Sequence, residues 1–422
     1  MSYALMTDRY ELTMLQAALR SGKADRECVF EVFTRQLPAG RRYGVFAGVG
    51  RVLDAVMEFH FGDEELEYLR ASSVVDEKTL DWLANYKFAG SISGYREGEI
   101  YFANSPVLTV RGTFAEAVLL ETVILSILNY DSAVASAASR MHTAATGRFL
   151  AEMGARRAHE SAAVAAARAA YISGFDATSN LEAGRSWGIP TMGTSAHSFT
   201  LLHDSEKEAF EAQIASMGPD TTLLVDTFDI KAAVKLAVEL TSGKVAAVRI
   251  DSGDLGSTAV EVRAQLDSLG ANHTKIVVTS DLDEYTIAAL AASPVDRFGV
   301  GTSLVTGSGH PTAGFVYKLV SHSDGDGWTS VAKTSKAKTN RGGEKLASRL
   351  LEQGVASAEL IGGDKGRPLQ VELMTGGQPQ EQYLGKAGVL VAKDHHLEAK
   401  AELPKVALRL SNGEPAIPTI FS

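Results

Sequence analysis

The stretch Val248-Arg249-Ile250-Asp251-Ser252-Gly253-Asp254 is a short apolar run that ends in a cation, two carboxylates, a hydroxyl and a glycine. The same grammar recurs on both sides of it. From residue 175 to 320, β-branched runs with polar tips alternate with amphipathic helical stretches, which is the pattern of β/α units. The other tips are Thr178-Ser179-Asn180, Met192-Gly193-Thr194-Ser195-Ala196-His197-Ser198, Leu223-Leu224-Val225-Asp226-Thr227-Phe228-Asp229, Ile276-Val277-Val278-Thr279-Ser280-Asp281 and Phe298-Gly299-Val300-Gly301-Thr302. Gly314-Phe315-Val316-Tyr317-Lys318-Leu319 supplies a seventh run. Parallel strands with polar carboxyl ends belong to β/α barrels, whose ligands sit on the loops after each strand. An open doubly wound sheet binds at one switch point only, so polar tips on nearly every strand favour the barrel. Six to seven strands fall short of a full eight. The expected fold is therefore α/β, an irregular parallel, TIM-like β/α barrel over residues 131–324.

The flanks have a different rhythm. Residues 25–110 mix alternating runs such as Cys28-Val29-Phe30-Glu31-Val32-Phe33 with glycine-rich turns, and 325–400 is similar, with a strand expected at Gly388-Val389-Leu390-Val391. Residues 1–130 and 325–422 are expected to pack as one open-faced α/β sandwich domain. Helices at 114–128 and 133–153 lead into the barrel. The 333–345 stretch is basic and loop-like.

Composition narrows the function classes. The chain has 422 residues, 45% hydrophobic and 22% charged, with a formal net charge of -10 and no basic stripe, which argues against nucleic acid as a partner. Cys28 is the single cysteine, so neither an intramolecular disulfide nor a cysteine-cluster metal site is available. No apolar run approaches the roughly 18 residues of a membrane span, and Met1-Ser2-Tyr3-Ala4-Leu5-Met6-Thr7-Asp8 lacks the features of a signal peptide. A cytoplasmic location is expected.

Two tips concentrate chemistry. A single histidine is more often structural than functional, but His197 sits among small residues at a strand-to-helix junction, where Thr194, Ser195 and Ser198 offer hydroxyls and backbone N–H groups to phosphate. A neutral imidazole there can attack the terminal phosphate of ATP. For Arg249, Asp251, Ser252, Gly253 and Asp254 the plain alternative is a solvated turn. Against it, Asp226, Asp229 and Asp281 end neighbouring strands, and carboxylates gathered on one barrel face suit Mg²⁺ and a ribose diol. Gly301 and Thr302 fall where barrels often hold phosphate.

Taken in order, Thr7-Asp8-Arg9-Tyr10-Glu11-Leu12, Gly154-Ala155-Arg156-Arg157-Ala158, Gly174-Phe175-Asp176-Ala177-Thr178-Ser179-Asn180 and the tips at His197, Arg249 and Gly301 resemble those of nicotinate phosphoribosyltransferases, type II phosphoribosyltransferases, over nearly the whole chain. The resemblance implies that nicotinate and 5-phosphoribosyl 1-pyrophosphate give nicotinate mononucleotide and pyrophosphate, with ATP hydrolysis coupled through a phosphohistidine and Mg²⁺ as cofactor. By that likeness His197 carries the phosphate, and Arg249, Asp251 and Asp254 handle ribose and diphosphate. Gly301 and Thr302 hold the 5′-phosphate. Tyr10 stacks on the pyridine from the neighbouring subunit of a homodimer, Arg156 lies by the ring or ribose phosphate, and Arg140 is a candidate for the nicotinate carboxylate.

Some positions depart from that pattern. Ser179 stands where nicotinamide-using relatives carry a carboxylate, which favours nicotinate over a nicotinamide-specific enzyme. Met153 replaces a frequent aromatic ring, Ala177 a frequent glycine, and Asn129-Tyr130-Asp131 is unusual. Quinolinate phosphoribosyltransferases share the fold and are expected to be shorter, without the His197 loop. From another class, a metal-dependent barrel lyase or aldolase would use Asp226, Asp251 and Asp281 as ligands and His197 as base.

Overall fold

Six parallel strands form the sheet of the unit Ala137–Gly309. They are β1 (Phe149–Glu152), β2 (Ala177–Thr178), β3 (Thr222–Leu224), β4 (Ala247–Ile250), β5 (Lys275–Val278) and β6 (Arg297–Val300), in the spatial order β2-β1-β6-β5-β4-β3. This is a computed structural model, and it describes residues 3–325, 327–333, 341–363 and 365–422. The strands are apolar along most of their length and largely buried, as parallel strands covered on both faces must be. Register aligns their ends: Val278 pairs with Ile250 and Phe298, Val300 with Glu152, and Glu152 with Thr178. The polar tips thereby come to one edge of the sheet.

Four of the helices that follow a strand start at or just past those tips. Asn180, Asp229, Asp254 and Asp283 accept backbone N–H bonds from the first turns of Leu181–Trp187, Ile230–Leu240, Leu255–Ser268 and Glu284–Ala289. Such N-caps stabilise a helix by about 1 kcal/mol each. Part of the acidity legible at the strand ends is therefore capping chemistry.

The barrel is incomplete: β2 and β3 are the edges of the six-stranded sheet, and β2 gains only an isolated parallel bridge between Thr178 and Thr191. The 192–198 run is thus not a strand of the sheet. It passes as extended chain into the helix His197–Leu202. The expected seventh strand also moves. Phe315–Ser323 pairs antiparallel with Glu27–Thr34, register Phe30 to Leu319, in the other unit. β1 in turn falls inside the stretch expected to be the helix 133–153. The helix is Glu121–Ala145, unbroken across 129–132, and it ends where Thr146 and Gly147 adopt positive φ of 52° and 83°.

The second unit, Met1–Ser136 with His310–Ser422, joins segments distant in sequence. Its seven-stranded sheet runs Trp328–Ser330, Phe315–Ser323, Glu27–Thr34, Leu108–Thr113, Ser91–Tyr95, Gln370–Thr375, Gln378–Pro379, and a four-stranded sheet includes Ala347–Glu352 and Val355–Ile361. The strand expected at 388–391 is instead part of the helix Gly385–Ala401, whose buried Val389, Ala392, His396 and Ala399 recur at helical spacing. Four apolar residues alone do not distinguish the two periods. Of the basic 333–345 stretch, 334–340 lie outside the described residues, while Lys345 Nζ pairs with the buried Glu31 at 2.7 Å. No described helix is long and apolar enough to cross a membrane.

A charged cluster lies inside this unit. Arg349, fully buried, meets Glu359 at 2.7 Å, Glu99 at 3.2 Å and the carbonyl of Ile100 at 2.7 Å. Tyr95 donates to Glu359, and Arg367 and His395 complete the shell of Glu99. Burial pushes the Glu99 carboxyl up, but His395, Arg349 and Arg367 outweigh it and hold the group below the usual range. Arg349→Ala leaves the buried Glu359 without its cation and removes one of three from Glu99, so a loss of about 3–5 kcal/mol in urea unfolding is expected. Glu11, on the helix Arg9–Ser21, is also buried and accepts from Thr122 and Thr7. Burial raises its carboxyl from 4.5 to about 7 against those hydrogen bonds. The native state then keeps a proton the unfolded chain releases, so this stability is present below 4.5 and lost as pH rises through about 7. The melting temperature of Glu11→Gln is expected to vary less with pH across that interval than the wild type's.

Candidate active site

The strand ends β1, β2, β4, β5 and β6 of the unit Ala137–Gly309 surround a cavity of about 610 Å³. β1 and the turn Ala155–Arg157 contribute Met153, Arg156 and Arg157, β2 contributes Ser179, and the extended run after Thr191 contributes residues 192–196. Arg249 and Asp251 enter from β4, Thr279, Ser280 and Asp281 from β5, and Gly299, Gly301 and Thr302 from β6. Ser280 carries a φ of 139°, a sparsely populated conformation for a residue with a side chain, and such strain concentrates at functional sites. Gly299 is where close approach demands glycine: a Cβ there would stand 2.5 Å from Thr279 Cγ2 and 2.7 Å from Met153 Sδ.

His197 stands beside the cavity, its side chain 40% exposed. Nδ1 is 3.1 Å from Thr227 Oγ1, and Nε2 is 3.8 Å from both Asp226 Oδ1 and Asp251 Oδ2. Asp226 is almost wholly buried. Its Oδ2 accepts from Asp251 N at 2.8 Å and Ser252 Oγ at 2.7 Å, while Oδ1 has no hydrogen-bond partner. Asp251 Oδ1 accepts from Thr279. Arg249 donates to the Ser195 carbonyl at 2.8 Å and reaches Thr194 Oγ1 at 3.5 Å, so the guanidinium ties the loop before His197 to β4. Burial pushes this guanidinium down and Arg156 adds to the fall, while Asp251 and Asp226 oppose it.

Several expected residues are placed differently. Asp254 caps the helix Leu255–Ser268, accepting from Ser257, and does not line the cavity. Ser252 is held by Asp226, the adjoining Gly253 has φ 81°, and the Ser195 hydroxyl donates to Gln213 at 2.9 Å. Arg140 is buried and donates to Glu284 at 3.0 Å and to Tyr285 at 3.2 Å, away from the cavity lining. Tyr10 belongs to the other unit, where the residue is 45% exposed, and burial, with Glu121, Glu11 and Asp8, pushes its phenol up to about 12. Sequence reading under-used two residues. Asp226 was legible as a strand-end acid but not as the partner of His197. Glu152 gave no signal, because its strand resembled the end of a helix.

Among the described residues no three His, Cys, Asp or Glu side chains form a metal cage. Magnesium, however, keeps several waters and needs one or two carboxylates plus substrate phosphates. The unpartnered Asp226 Oδ1 next to Asp251 fits that requirement.

A parallel half-barrel with cations, hydroxyls and a histidine at its carboxyl edge defines a site for phosphorylated ligands. Comparison with known proteins specifies the family. Residues 5–129 match the nicotinate phosphoribosyltransferase N-terminal domain and residues 149–353 the nicotinate phosphoribosyltransferase family. A nicotinate phosphoribosyltransferase of Mycobacterium tuberculosis is 52% identical, the match covering 98% of this chain and 94% of that protein. One from Bacillus subtilis is 36% identical over 83% of this chain and 74% of its own length. The crystal structure of human nicotinic acid phosphoribosyltransferase superposes with a TM-score of 0.83 at 23% identity, covering 99% of this chain and 97% of that one, a likeness of fold. The chain belongs to the nicotinate phosphoribosyltransferase family.

Two glycines lining the cavity separate crowding from open space. Gly299→Ala is expected to cost about 1–3 kcal/mol in urea unfolding. Gly193→Ala, where a Cβ meets nothing within 4 Å, is expected to stay within about 0.5 kcal/mol of the wild type.

Proposed function

We propose that this protein transfers the phosphoribosyl group of 5-phosphoribosyl 1-pyrophosphate to nicotinate, giving nicotinate mononucleotide and pyrophosphate in NAD biosynthesis, with ATP hydrolysis coupled through a phosphate on His197. The observation that carries the coupling is the placement of the His197 imidazole between Thr227, Asp226 and Asp251 beside a cavity lined by Arg156 and Arg249. With Nδ1–H donated to Thr227 Oγ1, Nε2 keeps its lone pair. That nitrogen attacks the terminal phosphorus of ATP, the bond to the bridging oxygen breaks, and ADP leaves with the electron pair. Asp226 and Asp251 face the nitrogen that becomes positively charged.

In the transfer itself, the bond from the anomeric carbon to diphosphate breaks as the pyridine nitrogen lone pair forms the new bond. The nitrogen of nicotinate has no proton to lose, so the site needs position more than a base. Arg156 and Arg249 suit the departing diphosphate, and Asp251 and Asp281 suit the ribose hydroxyls and the cationic sugar. Mg²⁺, held by Asp226 and Asp251, would supply charge neutralisation at the phosphates. A cytoplasmic homodimer in which Tyr10 of the partner subunit covers the pyridine belongs to the same reading. Ser179 at the cavity is uncharged and leaves room for a carboxylate substrate, which favours nicotinate over nicotinamide. The lyase alternative needs Asp226, Asp251 and Asp281 around one ion, a grouping not found among the described residues.

The test is incubation with γ-labelled ATP and Mg²⁺. Acid-labile, base-stable label is expected on the wild type, absent from His197→Ala and discharged when nicotinate and 5-phosphoribosyl 1-pyrophosphate are added. Product without any label would retain the transfer and remove the phosphohistidine.

A further inference from the structure

Glu152 closes β1, one residue before the cavity-lining Met153, with its side chain fully buried, and no cation pairs with it among the described residues. Both carboxylate oxygens are in use. Oε1 accepts from the backbone N–H of Gly154, and Oε2 accepts from the Thr178 hydroxyl at 2.5 Å. Thr178 Oγ1 in turn accepts from Asn180 N at 3.0 Å, and the Glu152 carbonyl takes Ser179 N at 2.8 Å. One residue therefore binds two different loops of the site, the turn that carries Arg156 and the tip that carries Ser179. The first loop has no slack on its other side: a Cβ on Gly154 would stand 2.3 Å from Val305 Cγ1 and 3.0 Å from the Gly301 carbonyl. A buried carboxylate without a cation is costly unless its hydrogen bonds are satisfied, and burial indeed pushes this carboxyl up while Thr178 and Gly154 pull it back.

We propose that Glu152 is a positioning residue: by holding Gly154 N–H and the Thr178 hydroxyl together it fixes the 154–157 turn and sets where Arg156 enters the cavity. The inference rests on the reading above that Arg156 binds 5-phosphoribosyl 1-pyrophosphate. Glu152 does not itself line the cavity, so its effect on the reaction runs through the turn. Geometry rather than charge is what matters in this assignment. Glutamine preserves that geometry, since its carbonyl accepts from Gly154 and its amide donates to the Thr178 hydroxyl, which rotates to receive it.

Steady-state kinetics on the full-length enzyme tests the assignment. Glu152→Ala is expected to raise KM for 5-phosphoribosyl 1-pyrophosphate about tenfold or more with a smaller change in kcat, and Glu152→Gln to stay within about threefold of the wild type. Combining Glu152→Ala with Arg156→Ala is expected to add no more than about twofold to the KM of Arg156→Ala alone, because both changes remove one function. Penalties that multiply, or a Glu152→Gln enzyme as impaired as Glu152→Ala, overturn the positioning role while leaving the transfer reaction intact. An unchanged KM in Arg156→Ala overturns the inference and the assigned role of Arg156 together. Should Glu152→Ala not fold, Thr178→Val removes one of the two bonds, and its cycle with Arg156→Ala decides by the same criterion.

Discussion

A single buried carboxylate joins the parts of the site that sequence holds apart. Asp226, two residues past β3, receives the backbone N–H of Asp251 and the hydroxyl of Ser252 from the end of β4, and turns its remaining oxygen towards His197. A charge so placed is stable only because two donors reach it, one of them a main-chain group with no freedom to turn away. The register of β3 against β4, Leu224 beside Arg249, makes that meeting possible. The orientation of the imidazole, the path of the 251–254 turn and the reach of Arg249 to the Ser195 carbonyl all depend on that alignment.

The strand ends divide their polar residues between two duties. Asp254 and Asp229 serve helices, Asp226 and Asp251 face His197, and nothing in composition separates the pairs. The difference lies in offset. The carboxylates facing His197 fall one or two residues after the last strand residue, whereas the capping aspartates fall four or five residues past the strand, at the start of the next helix. A residue type shared by caps and by phosphate chemistry makes an acidic tip a good marker of the sheet edge and a poor guide to individual roles.

That distinction explains how much was legible. The β/α alternation and five of the six strands stood out, because amphipathic helices frame short apolar runs. β1 did not, since Phe149-Leu150-Ala151-Glu152 follows an alanine-rich helix after a short turn and has no β-branched residue of its own. The 192–198 run misled in the opposite sense: it reads as a strand end, but its small residues run extended without a ladder partner beyond Thr191. Phe315–Ser323 has the look of one more barrel strand because partner identity is a tertiary fact that a strand's own residues do not encode. Of the residues expected together, His197, Arg249 and Asp251 lie at one cavity, whereas Arg140 does not line it, as the buried Glu284 that claims it lies far along the chain.

The pairing of Glu27–Thr34 with Phe315–Ser323 has a consequence for biosynthesis. At about 5–20 residues per second, the interval between emergence of the two strands is on the order of 15–60 s. Throughout it the earlier strand, buried along almost its whole length in the folded chain, offers an open edge on that side, and open edges recruit other chains. The continuous segment Ala137–Gly309 has all six of its strands out of the ribosome before that edge is covered. Order of synthesis therefore favours the segment Ala137–Gly309 maturing first, with one edge of the N-terminal sheet left uncovered until the last quarter of the chain arrives.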